Sequence, residues 1–177
     1  MADTQAARRY AQAAFAIASE SDSFAMWREQ LADVGEVLTE SDAAGLFADG
    51  RRAAGERQDL LERVLDVDPM VLNLAKLLIT KGRTGEASAI AQVFAEMVDD
   101  REGIAHAVVT TAVELSADQL SQIEAAFSST LGVTIDARAE VDAEIVGGIV
   151  VRVGDRLIDG SLRSRLESLR RELIQTG

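Results

Sequence analysis

The chain has 177 residues, 47% of them hydrophobic and 27% charged, a globular composition long enough for one large domain or two small ones. It contains no cysteine, which excludes disulfides, thiolate metal sites and thiol nucleophiles. With 30 acidic against 18 basic side chains the net charge is −12, the wrong sign for binding nucleic acid or an anionic lipid surface.

Aromatic residues make up only 4%, so the cores must be built from Ala, Leu, Val and Ile. No run approaches the roughly 18 apolar residues of a membrane helix. The nearest, 71–79, is broken by Asn73 and Lys76, so no direct membrane insertion is expected. The N-terminus carries Asp3, Arg8 and Arg9 and no apolar signal core, so an intracellular chain is expected.

The first hundred residues follow a helical period. Ala7, Tyr10, Ala11, Ala14 and Ala18 recur at spacings of three and four, flanked by Phe15 and Ile17. A second helix places Phe24, Trp27, Leu31, Val34 and Leu38 on one face. A short third segment surrounds Leu46 and Phe47, and a fourth carries Leu60, Leu61, Val64 and Leu65. Asp68 before Pro69 is a helix start, a carboxylate N-cap and then the residue whose missing N–H is harmless there. That fifth helix runs to Lys81 and stops at Gly82. A sixth, from Glu86 to about Arg101, aligns Ile90, Val93, Phe94 and Met97, and Gly103 closes the helical part.

Beyond Gly103 the period becomes two. Ala107, Val109, Thr111 and Val113 predict a strand. Ser116 with Gln119 forms a capping box that opens a helix with Leu120, Ile123, Phe127 and Leu131 on one face, ended by Gly132. Ile135, Ala137, Ala139 and Val141 alternate with charged residues as a half-buried strand. A turn at Asp142–Glu144 leads into a strand over 145–153, Gly154-Asp155 makes a hairpin turn, and Arg156–Ile158 returns. Ser161 is the N-cap of a last helix with Leu162, Leu166, Leu169 and Leu173 at spacings of 4, 3 and 4. The predicted fold is an N-terminal all-α six-helix bundle, residues 1–105, followed by a small α+β domain, residues 106–177, in the order strand-helix-strand-strand-strand-helix.

Catalytic chemistry is not evident. In Lys81-Gly-Arg-Thr-Gly-Glu86 the lysine precedes both glycines and follows a helix, whereas a phosphate loop needs it after the second glycine and behind a strand. His106 is the lone histidine and reads as a boundary or sheet-surface residue. Asp99, Asp100 and Glu102 lack calcium-loop spacing and are expected to be a solvated helix end. No catalytic residue, cofactor or metal is therefore predicted. From Ser161 onward four arginines face only Glu167 and Glu172, a basic last helix on an acidic body that suits an acidic or helical protein partner.

The most specific stretch is 147–161: two glycines in a valine-rich segment, a Gly-Asp turn, then Asp-Gly-Ser. Paired glycines in a strand mark a bulge or a close approach of neighbouring backbone. This string, Gly147, Gly148, Gly154, Asp155, Asp159, Gly160 and Ser161, followed by Arg163, Arg165, Leu166 and Arg170, resembles the signature of the delta subunit of rotary ATP synthases. The mitochondrial relative in that family is the oligomycin-sensitivity-conferring protein. Asp142 two residues before Glu144 also fits, with Ala143 where the family often has proline. Arg9-Tyr10-Ala11 and Ala14-Phe15 are similar to the family's opening helix, and Asn73-Leu74 through Leu77-Leu78 with Gly82-Arg83 to its fifth. Between Leu46 and Leu61, where the family usually has a proline and a lysine, the chain has Arg51-Arg-Ala-Ala-Gly55.

The resemblance implies a non-catalytic stator subunit that clamps the catalytic head to the peripheral stalk, one copy per complex, at the cytoplasmic face of a bacterial membrane. It implies that the bundle receives N-terminal helices of the alpha subunits, with Tyr10, Ala14, Ala18, Leu74, Leu77 and Leu78 as candidate contacts. The small domain would grip the b subunits of the stalk, with Asp142, the 147–161 string and the arginine-rich last helix as candidates. A helical adaptor of another intracellular complex would share the bundle but not that string.

Overall fold

The computed structural model describes residues 4–143, 145 and 147–162. It is mostly helical, with a small four-stranded mixed sheet. The chain divides into two compact units, Met1–Val98 and Asp99–Gly177.

In the first unit, α1 (Thr4–Glu20) turns Ala7, Ala11, Ala14 and Ala18 inward, each at most 1% exposed. Helix α2 (Phe24–Gly35) buries Phe24, Trp27, Leu31 and Val34 as the spacing predicts. Its continuation, Glu36–Glu40, is π-helical rather than α-helical, and still buries Leu38. A Cβ on Gly35 would lie 3.1 Å from Ser88 Cα, so the backbones approach closely there. The Thr39 hydroxyl donates to the Gly35 carbonyl and shares a hydrogen bond with the Ser88 hydroxyl.

Helix α3 (Ala44–Ala48) buries Phe47, and α4 (Ala54–Val64) buries Leu61 and Arg57. Arg57 Nη1 donates to the Phe47 carbonyl at 2.8 Å and ties the two helices together. Val64, expected on the apolar face of α4, is instead 53% exposed. Helix α5 (Pro69–Lys81) is followed by a 3₁₀ turn, Thr84–Glu86, and α6 (Ala87–Glu102). Phe15, Phe24, Trp27 and Phe94 form one aromatic cluster, with ring centroids 4.9–6.3 Å apart.

In the second unit the strands β1 (Ile104–Thr111), β2 (Thr134–Val141), β3 (Ile149–Val153) and β4 (Arg156–Asp159) lie in the order β2-β1-β3-β4. Strands β1 and β2 are parallel and joined through α7 (Ala117–Leu131); the other pairs are antiparallel. The capping box at Ser116 and Gln119 forms in both directions. Helix α7 packs Leu120, Ile123, Phe127 and Leu131 on Ala107, Val109, Ile135, Ala137 and Val151. Its polar side covers the edge of β2: Glu124 Oε1 accepts from the Ala137 N–H and Ser128 Oγ from the Ile135 N–H, both at 2.9 Å.

Two strand limits and one burial pattern differ from the periodicity. Strand β1 ends at Thr111, whose hydroxyl donates to the Val113 carbonyl, and Val113 is 70% exposed. Ala139 and Val141, expected inward, are exposed because β2 is an edge strand that runs past the end of the core. Strand β3 begins at Ile149, so Gly147 and Gly148 stand in a bend and not inside a strand.

Asp99 differs from the expected solvated helix end, whereas His106 lies exposed on the sheet surface as expected. Asp99 is buried, and His106 Nε2 lies 2.7 Å from its Oδ2, while Nδ1 is 3.1 Å from Asp136 Oδ2 on β2. The last turn of α6 is thereby tied to the sheet. The hydrogen bond to Asp99 raises the His106 pKa above 6.5; partial burial pulls it down, and the charges of Asp99 and Asp136 add to the rise.

A folded pKa raised above the unfolded one gives stabilisation that is complete below about pH 6.5 and lost as pH rises through the raised value. The stability gap between the wild type and His106→Gln should therefore be widest near pH 6 and narrow towards pH 9. An NMR titration should place the His106 midpoint above 6.5, and Asp99→Asn should return it towards 6.5. Separately, a Cβ on Gly148, which has φ +86°, would lie 2.4 Å from the Gly160 carbonyl oxygen and 3.0 Å from Ser161 Cα. Gly148→Ala should destabilise the second unit by about 2–4 kcal/mol, read as lost amide protection on β3. Gly50→Ala, where a Cβ meets nothing within 4 Å, should stay within about 0.5 kcal/mol of the wild type.

Candidate partner-binding surface

Helix α5 is held firmly at both ends. The Asp68 carboxylate accepts from the Met70 N–H at 2.8 Å, Pro69 takes the first helical position, and Gly82 closes the helix in the left-handed conformation. Gln30 Oε1 accepts from the Asp68 N–H at 2.7 Å and anchors the start of α5 to α2. Gln58 Nε2 donates to the Lys76 carbonyl at 3.1 Å and to Thr80 Oγ1 at 2.9 Å, and Lys76 pairs with Glu62, so α4 holds the other flank.

Val71, Ala75, Leu78 and Ile79 face the core, while Met70, Leu74 and Leu77, at spacings of four and three, line a second face. Met70 is 49% exposed, Leu77 41%, and Leu74 half-buried. Lys81, four residues past Leu77, ends this line at an open cleft of about 250 Å³ lined by Ala6, Arg9, Tyr10, Lys81 and Arg83. Arg83 also pairs with Glu86 at 3.3 Å. The stretch 81–86 is thus a helix cap and a turn.

The six candidate contacts for the head divide into two groups. Tyr10, Leu74 and Leu77 lie at the surface of the first unit, Tyr10 in the cleft. Ala14, Ala18 and Leu78 are at most 1% exposed and lie in the core, not at an open groove. Their small or apolar side chains serve packing within the chain, so Ala14→Trp would overfill the core rather than block a groove. Met70, Arg9, Lys81 and Arg83 belong to this surface although apolar periodicity did not single them out. The available signal was the 70-74-77-81 spacing, which continues an apolar line into a cation.

The 147–161 string is a clasp of backbone on backbone. The Gly160 N–H donates to the Ile149 carbonyl and the Leu162 N–H to the Gly147 carbonyl, both at 2.9 Å. The Asp159 carboxylate accepts from the Ser161 N–H at 2.9 Å, and Ser161 is buried. Gly154, with φ +54°, and Asp155 turn the β3–β4 hairpin. The Asp142 N–H donates to the Thr111 carbonyl at 2.9 Å, and the Asp142 carbonyl accepts from the Ile145 N–H. Arg163, Arg165, Leu166 and Arg170, with the rest of the expected last helix, lie outside the described residues. Leu157 and Ile158 on β4 and Leu162 are exposed.

Among the described residues, no three His, Asp or Glu side chains gather as metal ligands, and no helix is long and apolar enough to cross a membrane.

Residues 6–173 match the profile of the ATP synthase delta (OSCP) subunit family. Relatives described as ATP synthase subunit delta include that of Moorella thermoacetica, 32% identical over 171 residues and covering 96% of each chain. Another is from Dehalococcoides mccartyi, 30% identical over 96% of this chain and 94% of the relative. The Citrifermentans bemidjiense protein is 26% identical over the full length of both. A chain in the cryo-EM structure of the Toxoplasma gondii mitochondrial ATP synthase hexamer shares the fold, with a TM-score of 0.64 at 22% identity over 95% of this chain and 97% of that one. The chain belongs to the ATP synthase delta (OSCP) subunit family, and so is a structural, non-catalytic subunit of an F-type ATP synthase, a membrane-associated complex.

Proposed function

We propose that this chain is the stator clamp of its ATP synthase, joining the catalytic head to the peripheral stalk so that the head does not turn with the central shaft. In this reading the first 105 residues act as a six-helix bundle that receives N-terminal helices of the alpha subunit. Residues 106–177 act as the stalk-gripping α+β domain, closed by a helix that begins after Ser161. One copy sits peripherally at the cytoplasmic face of the bacterial membrane.

The observation that carries this reading, beyond family membership, is the Met70–Leu74–Leu77 face. A helix held on both flanks leaves Met70 and Leu77 exposed and Leu74 half-buried between them in one line. An amphipathic guest helix fits such a face through its own residues at spacings of three and four. For the stalk end, the support is the concentration of positive charge in the last helix of an acidic chain.

The full-length chain should bind a peptide copying the alpha-subunit N-terminus. Leu77→Asp should weaken that complex by about tenfold or more in calorimetry while leaving the melting temperature nearly unchanged, since Leu77 is outside the core. An unaffected affinity would move the contact off α5. At the other end, replacing Arg163, Arg165 and Arg170 together with Ala should weaken binding to the b subunits more at low than at high salt. Equal binding by the folded triple variant at both salt concentrations would assign those arginines to solvent alone.

A further inference from the structure

On a chain of net charge −12 the apolar line of α5 does not run into acidic surface; it ends in cations. Lys81 extends the line of Met70, Leu74 and Leu77, Arg9 reaches the same place from α1, and Arg83 arrives from the turn after Gly82. Among the described residues no carboxylate lines this cleft, nor the neighbouring depression of Gln5, Arg8, Arg9 and Gln12. Arg83 is engaged by Glu86, whereas neither Arg9 nor Lys81 forms an ion pair among the described residues.

We propose that this cleft takes a carboxylate side chain of the guest helix that lies along α5, and thereby fixes the register of that helix. The inference rests on the reading of α5 as the guest-binding face. An apolar line alone discriminates poorly between registers, because a guest shifted by one turn presents much the same leucine-like surface. A charge pair at one end of the line does discriminate: only one register brings a carboxylate to Arg9 and Lys81, and a basic helix is repelled. The occupant is therefore an acidic amphipathic helix with its carboxylate one helical turn beyond the apolar residue that meets Leu77. Such a pair at a partly open cleft mainly speeds encounter and selects register, and it is screened by salt.

The test uses the full-length chain and the alpha N-terminal peptide, with each Asp or Glu of the peptide replaced in turn by its amide. Affinity is measured by calorimetry at roughly 20 mM and 300 mM salt. Arg9→Ala with Lys81→Ala should weaken binding about tenfold at low salt and about twofold at high salt. Arg63→Ala, exposed on α4 and remote in sequence, is the charge control and should change nothing. One amide-substituted peptide should lose the same factor against the wild type and nothing further against the double variant, the signature of direct pairing. Equal affinity for the wild type and a folded double variant at low salt would overturn the cleft assignment while leaving the α5 reading intact. Failure of the peptide to bind the wild type would remove both. If inorganic phosphate at matched ionic strength occupies the cleft without displacing the peptide, the cleft serves a different anion and the proposal falls.

Discussion

An alanine stripe reaches only one methyl group beyond the backbone, and the first unit is organised around that limit. Helix α1 presents Ala7, Ala11, Ala14 and Ala18 to the interior, a face that fills little volume by itself. Close packing is restored by large side chains sent in from neighbouring elements, and four of the chain's seven aromatic residues gather as Phe15, Phe24, Trp27 and Phe94. Where no large side chain intervenes the backbones themselves approach, as at Gly35 and Ser88. The functional consequence is a matter of exclusion. The alanine face is fully used inside the unit, so the proposed partner surface draws from α1 only on Arg9 and Tyr10, beside the outer line of α5.

Periodicity captured the elements best where burial is one-sided and continuous. The five apolar positions from Phe24 to Leu38 are all buried, and Asp68, Pro69 and Gly82 bound α5 as their chemistry requires. What it could not weigh is which apolar side of a helix meets its own chain. Helix α5 is apolar over most of its circumference, and spacing alone does not separate Leu78, which is core, from Leu77, which is not. The π-helical turn at Glu36–Glu40 was equally hidden, because it depends on contacts made by Gly35 and Thr39 with Ser88, 49 residues after Thr39. Asp99 and His106 belong to the same class: each is unremarkable in its local sequence, and their pairing appears only when the end of α6 meets the sheet.

The most recognisable motif is legible for a different reason. Gly148 adopts a backbone conformation that side chains disfavour and lies against the Gly160–Ser161 backbone, while Asp159 satisfies the Ser161 N–H. These requirements are steric and local, so they constrain residue identity strictly and leave a string that stands out by eye. The proposed partner-binding face is constrained differently: it must be apolar and in line, which Met70, Leu74 and Leu77 meet with ordinary residues at ordinary spacing. The string thus identifies the family while reporting mainly on how β3, β4 and the chain after them are held together.

Under the proposed stator role, contacts gain from elements that do not yield, and α5 satisfies that condition. Its start is tied to α2 through Gln30, its flank to α4 through Gln58 and Glu62, and its end is closed by Gly82. An exposed apolar line on a helix already fixed in this way loses little conformational freedom when covered, so more of the contact energy remains as affinity. The second unit shows the same economy at its own edge, where Glu124 and Ser128 on α7 satisfy outward N–H groups of β2 that would otherwise invite pairing with another strand. Strand β4, by contrast, carries exposed Leu157 and Ile158. In the first unit, polar contacts from Gln30 and Gln58 hold α5 in place while Met70 and Leu77 on it stay exposed. That distribution is the one expected under the proposed role as a clamp.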